Sequence, residues 1–156
     1  MGECEDLLRR SWEGEVLGRH LFTDLCALLP DDRPVWELLA ELETTMGELV
    51  APVGRRHGLD IDEAAIERAA SDLATAAQGG GRDTLMTSAL AVVGEYVPMY
   101  ERLRELLPED ERWLGDELVT HERAFEAYLR GALEGRPDAG SDIRTFLGRH
   151  EARASR

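Results

Sequence analysis

Residues 114–129 read LGDELVTHERAFEAYL. Apolar side chains recur at Leu114, Leu118, Phe125, Leu129 and, just beyond, Ala132, the spacing of one face of an α-helix. On a wheel of about 100° per residue, His121 and Glu122 straddle the centre line of that stripe. A small rotation takes either one to the edge, but not both in the same direction. The face that must be buried therefore carries an acid and an imidazole. Burying a carboxylate is costly unless a cation, a proton or a hydrogen-bond network compensates it.

Outward from this segment the chain reads as helix throughout, and nothing reads as a strand. A first helix is predicted from about Glu5 to Leu29, stopping at Pro30 and Pro34; a second from 34 to about His57, ending at Gly58. A third runs from Asp83 to Leu107 and a fourth from Glu109 to Leu133, separated by Pro108. Between the second and third lie an amphipathic stretch, Ile61 to Ala77, with Asp60 and Glu63 spaced like a capping box, and the hinge Gly79-Gly80-Gly81. Ser141 to His150 adds a short helix with Ile143, Phe146 and Leu147 inward. The expectation is one all-α domain over 1–156. Two short connections make antiparallel pairs, and the long middle one can cross the whole bundle. Each main helix, of about 24 residues, would be roughly 36 Å long.

The other inner faces also carry acids. On the first helix Leu7, Leu8, Phe22, Leu25, Cys26 and Leu29 define an arc that includes Glu15, with Gly14 and Gly18 leaving room beside it. An ion pair with Arg19, one turn on, is the plainer reading of Glu15. On the second helix Glu43 lies between Trp36 and Val50 at the margin of the apolar face, from which it could equally reach solvent. The third helix has Leu85, Ala89, Val92, Val93, Tyr96, Tyr100 and Leu103 inward. Glu95 falls outside that arc unless a kink at Pro98 turns it in. This helix instead offers two phenols one turn apart, whose oxygens need partners when buried.

Composition sets limits. Apolar residues make up 43% of the 156, a globular proportion, and the net charge of −14 argues against nucleic acid and anionic membrane surfaces as partners. All 18 basic residues are Arg, which reads as coding bias more than chemistry. Cys4 and Cys26 form no spaced framework. No apolar leader and no membrane-length run is apparent, so a cytoplasmic protein is expected.

Four helices, a long middle crossover and inward acids at mid-bundle make the chain resemble the ferritin-like superfamily. That family takes one Glu from each of two helices and a Glu-x-x-His pair from each of the other two to hold two metals. The resemblance sets Glu15 as the single Glu of the first helix and Glu43 as the Glu of the second helix's pair. Met46 stands where that pair's His is expected. On the fourth helix Glu122 is followed by Phe125 in the His position, with His121 one residue earlier; on the third only Glu95 is available. What survives, Glu15, Glu43, His121 and Glu122, suits a single oxygen-rich site for iron or manganese, or an atypical pair.

The resemblance implies a non-haem iron, di-iron or manganese oxidoreductase. Those four residues would be its ligands, and Tyr96 or Tyr100 hydrogen-bond partners to them. Met46, Tyr96, Tyr100 and Phe125 would form a dry pocket for a small apolar or amphipathic molecule. The alternative is a metal-free ferritin-like binding or interaction module, its carboxylates compensated by protons and tyrosines, with at least one pKa raised. A third reading is an acidic helical scaffold that forms a homodimer through one bundle face. No Ser/His/Asp grouping, phosphate-cradling loop or Cys/His metal spacing competes.

Overall fold

The computed structural model describes residues 2–154. All regular structure among them is helical: α1 (Glu3–Leu28), α2 (Arg33–Arg56), α3 (Glu63–Ala77), α4 (Gly81–Leu106), α5 (Arg112–Leu133) and α6 (Ser141–Ala154). Single 3₁₀ turns at Pro30–Asp32 and Glu109–Glu111 lead into α2 and α5. The second of these is a departure from the expected helix beginning at Glu109. Pro108 holds its own φ and cannot donate, so the first turn tightens before α5 proper begins.

The boundaries follow local chemistry. Glu3, Glu5 and Asp6 sit in the first turn of α1, where acidic side chains complement the helix dipole. Pro30 ends α1 and Pro34 opens α2, each supplying the fixed φ that the position needs. α2 ends because Gly58 takes φ +71°, reversing the chain so that Leu59 N–H donates to the Gly54 carbonyl at 3.0 Å. The expected capping box at α3 forms differently. Asp62 is the cap, accepting from Ala65 N–H at 2.9 Å, while the Asp60 carboxylate accepts from Ile61 N–H and Glu63 reaches across to Arg19. Asp62 stands immediately before the first helical residue and Asp60 two residues further back, so Asp62 satisfies the orphan donor of the first turn.

Side-chain bridges at the helix ends fix the topology. Arg102 near the foot of α4 donates twice to Glu3 at the start of α1, and Arg56 at the end of α2 pairs with Glu111 at the start of α5. At the other end Arg82 of α4 lies 3.7 Å from Asp32, in the α1–α2 turn. α1 is therefore antiparallel to α2 and α4, and α2 to α5. α3 carries the chain back between the two ends, parallel to α1, tied to it by Arg19–Glu63 and by Ser71 donating to Asp24 at 2.5 Å. Two hairpins, α1–α2 and α4–α5, thus face one another with a crossover on the outside. α6 closes the bundle over α5 and α2. No helix among the described residues is long and apolar enough to cross a membrane.

The inner faces differ from expectation in two places. On α1 the buried stripe includes Ser11, Trp12 and Val16, and Leu7 and Cys26 are only half-buried. On α4 Met86 is buried while Val92 is 50% exposed. α4 packs closely on α5 but meets α1 at few points and scarcely touches α3. With no close neighbour on that side, Val92 stays in the open.

Candidate metal centre

Glu15 comes from the middle of α1, Glu43 from the middle of α2, and His121 and Glu122 from the middle of α5. All four are buried: Glu15 and His121 are 1% exposed, Glu122 4% and Glu43 5%. His121 Nε2 lies 3.4 Å from Glu15 Oε2 and 3.4 Å from Glu43 Oε1. Glu15, Glu43 and His121 each present one ligand-type atom to a common point, and the three atoms lie within 4.8 Å of one another. On the far side of the ring Nδ1 lies 3.6 Å from Glu122 Oε2.

That last distance sets Glu122 on a different side of the ring from Glu15 and Glu43. Adjacent residues on a helix diverge by about 100°, and Glu15 and Glu43 meet the His121 ring at Nε2 while Glu122 meets it at Nδ1. Glu122 faces the opposite ring nitrogen, close enough for charge attraction but beyond hydrogen-bond distance. Glu95 is exposed and takes no part, even though α4 contains Pro98. Arg19 pairs with Glu63, so the plainer pairing of Glu15 with Arg19 does not form.

The tyrosines complete the layer unequally. Tyr100 is 2% exposed and its hydroxyl donates to Glu15 Oε1 at 3.3 Å, leaving Oε2 for the His121 side. Tyr96 is half-buried, its ring 5.8 Å from that of Tyr100. Glycines make the space. A Cβ on Gly18 would lie 2.6 Å from Glu43 Oε2, so the Glu43 carboxylate occupies the room a side chain there would take.

The electrostatics follow from burial. Burial holds the Glu15 carboxyl well above the usual carboxylate range, and Glu43 and Glu122 push the same way against the pull of His121. Burial likewise raises Glu122 to about 7. Burial alone would lower His121, but Glu15, Glu43 and Glu122 outweigh it and push it up to about 10. Burial and then Glu15 raise the Tyr100 phenol, which keeps it a proton donor. The raised carboxyls and the raised imidazole share one cause: like charges gathered where water cannot screen them. Glu15 Oε2, Glu43 Oε1 and both His121 nitrogens are buried without a hydrogen-bond partner. Leaving such groups unpaired costs about 1–3 kcal/mol each. Two carboxylates and an imidazole converging on a point, all open, fit a divalent cation.

Two openings reach this layer. A cavity of about 600 Å³ lies between α1 and α4, with Glu15, Glu43, His121, Glu122 and Tyr100 at its inner end. Phe125, Tyr96 and the Phe22–Trp36 stack also line it; buried Met46, expected there, does not. A smaller one of about 260 Å³ approaches Glu15 and Glu43 between α1 and α2, bordered by Thr44, Gly47, Glu48, Arg19 and Glu63.

Sequence reasoning missed two further acid–base clusters. Glu111, buried, accepts from Arg56 Nε at 2.9 Å and lies 2.6 Å from His57 Nε2. Burial would raise its carboxyl, but His57 and Arg56 bring it below the usual value. Glu117 lies 3.2 Å from buried His150 and 3.3 Å from Arg149, and the Phe146 ring sits between His150 and His121, at 4.7 and 6.0 Å. These partners are 32 to 55 residues apart in sequence, so no local spacing announces them. No family model matches the chain, and no curated protein and no solved structure matches it.

Proposed function

We propose that this protein holds an iron or manganese ion through Glu15, Glu43 and His121 and works as a non-haem metal-dependent oxidoreductase of ferritin-like architecture. The observation that carries the reading is the convergence of three buried ligand atoms from three helices, none of which makes a hydrogen bond. The crossover by α3 between the bundle's ends supports the architectural half. Oxygen and nitrogen donors favour iron or manganese over softer metals. When bound, such an ion supplies a redox centre that can react with dioxygen. The chain's own residues hold and tune the site. Glu122 supplies negative charge on the far side of the imidazole, Tyr100 donates to Glu15 and selects which oxygen is left open, and the apolar walls exclude water.

A second reading has one observation in its favour: His121 Nε2 is equidistant from Glu15 and Glu43, as an imidazolium shared between two carboxylates would be. In that case the layer is a metal-free polar floor beneath a binding cavity.

Anaerobic reconstitution with ferrous iron, followed by elemental analysis after desalting, decides between them. Wild type is expected to retain iron that His121→Ala and Glu15→Ala lose. If wild type retains no more than the variants, the oxidoreductase reading falls and the metal-free module stands.

A further inference from the structure

The cavity between α1 and α4 indicates what the site acts upon. Its walls between mouth and inner end are almost wholly apolar: Leu21, Leu25, Leu39, Ala89, Val93 and Leu129 among them. The mouth is marked by Leu73 of α3 and Val92 of α4, two of the few large apolar side chains the protein exposes, at 49% and 50%. Scattered exposed apolar residues are ordinary. Here the two sit at the lip of a deep apolar hollow. Thr84 and Ser88 are the polar residues near that lip, and no Arg or His lines it. The charged groups lie at the inner end, and three of the four are carboxylates.

We infer that the cavity binds an uncharged, elongated apolar molecule, such as a medium-length aliphatic alcohol, aldehyde or ester, with one end against the Glu15–Glu43–His121 layer. An anionic head finds no cation at the mouth, and at the inner end His121 is already shared between Glu15 and Glu43. A cationic head would have to cross those apolar walls unpartnered to reach carboxylates that His121 already offsets in part. At about 30 Å³ for a water-sized group and an interior packing density near 0.74, the volume holds on the order of 15–20 non-hydrogen atoms. Typical small-molecule pockets fall in this range. The inference names the substrate class of the proposed metal centre and rests on that reading for the reaction, though not for the binding.

The test is fluorescence titration with the uncharged apolar probe N-phenyl-1-naphthylamine, on chelator-treated and on ferrous-loaded protein, with iron content measured on the same samples. Saturable, blue-shifted emission is expected in both. Ala89→Trp fills the cavity from α4, and Gly14→Leu fills it from α1, where a Cβ meets only Tyr96 at 4.0 Å. Each should weaken binding about tenfold or more, a loss of roughly 1.4 kcal/mol or greater. The pair guards against one variant failing to fold. On the chelator-treated protein, 1-dodecanol should displace the probe at about one tenth the concentration that dodecanoate or dodecylamine requires. Absence of saturable binding, binding unchanged in a folded variant, or equal displacement by the charged analogues each overturns the inference. Probe binding without iron retention sinks the metal reading alone; iron retention without probe binding sinks only this inference.

Discussion

The carboxylate of Glu43 lies where the side chain of Gly18 would begin. A Cβ added at Gly18 would stand 2.6 Å from Glu43 Oε2 and 2.8 Å from its Cδ. Glu43 can keep its place beside His121 only because the facing residue of α1 has no side chain. Gly18→Ala should therefore displace the Glu43 carboxylate while leaving the helix intact, since Ala is the better helix former by up to ~1 kcal/mol. Ferrous-iron affinity should fall about 10- to 100-fold with little change in the metal-free Tm. Unchanged affinity in the variant would mean that Glu43 is not a ligand.

Stability of the metal-free protein should fall as pH rises. The folded state binds more protons than the unfolded chain wherever a group's pKa is raised by folding. For Glu122, raised to about 7, that window runs from ~4.3 to 7; for His121, raised to about 10, it runs from ~6.5 to 10. Glu15 acts in the same direction. The contribution of His121 is complete below ~6.5 and lost as pH climbs through its folded value. Thermal melts in chelator should show Tm dropping by about 5 °C or more between pH 5 and pH 9. A His121→Gln/Glu122→Gln double variant should give a flatter profile. An equal slope in the variant would place the effect elsewhere.

Added ferrous iron should oppose that trend, because metal ligands bind deprotonated. The rise in Tm on adding metal should grow from pH 5 to pH 8. A rise that shrinks over this range would contradict ligation by these residues.

Glu111 ties the end of α2 to the start of α5 and is remote from the polar layer in its partners. Glu111→Gln keeps the shape but removes the charge that His57 and Arg56 share. It should cost about 1–3 kcal/mol in denaturant unfolding and leave iron stoichiometry and probe binding as in wild type. A loss of either would show that the clamp also positions the site.

Glu48 is exposed at the border of the smaller passage. Glu48→Arg should slow ferrous loading by about tenfold at low salt, an effect that ionic strength removes, without altering final iron content. Stopped-flow loading at two salt concentrations checks this. A rate insensitive to the substitution would show that iron arrives by another path.

Periodicity made much of the architecture legible. The stripe from Leu114 to Leu129 placed His121 and Glu122 on a buried face, and the proline-marked turns gave two hairpins with a helical crossover. The failures have physical causes. A wheel treats a face as uniformly covered, but α4 stands away from α1 and α3, so Val92 is open and Met86 inward. A wheel also puts Glu122 beside His121 without saying which ring nitrogen it meets. Glu111 with His57, and Glu117 with His150, join helix margins distant in sequence and leave no periodic trace.

The smaller passage between α1 and α2 and the hollow between α1 and α4 reach Glu15 and Glu43 from different sides of the bundle. A long apolar guest can fill the one while the other stays wet. Small hydrophilic species, ions and protons included, then need not queue behind the guest or squeeze past it. Were the proposed metal and apolar guest both to bind, the two could arrive and depart in either order, with neither a competitive blocker of the other.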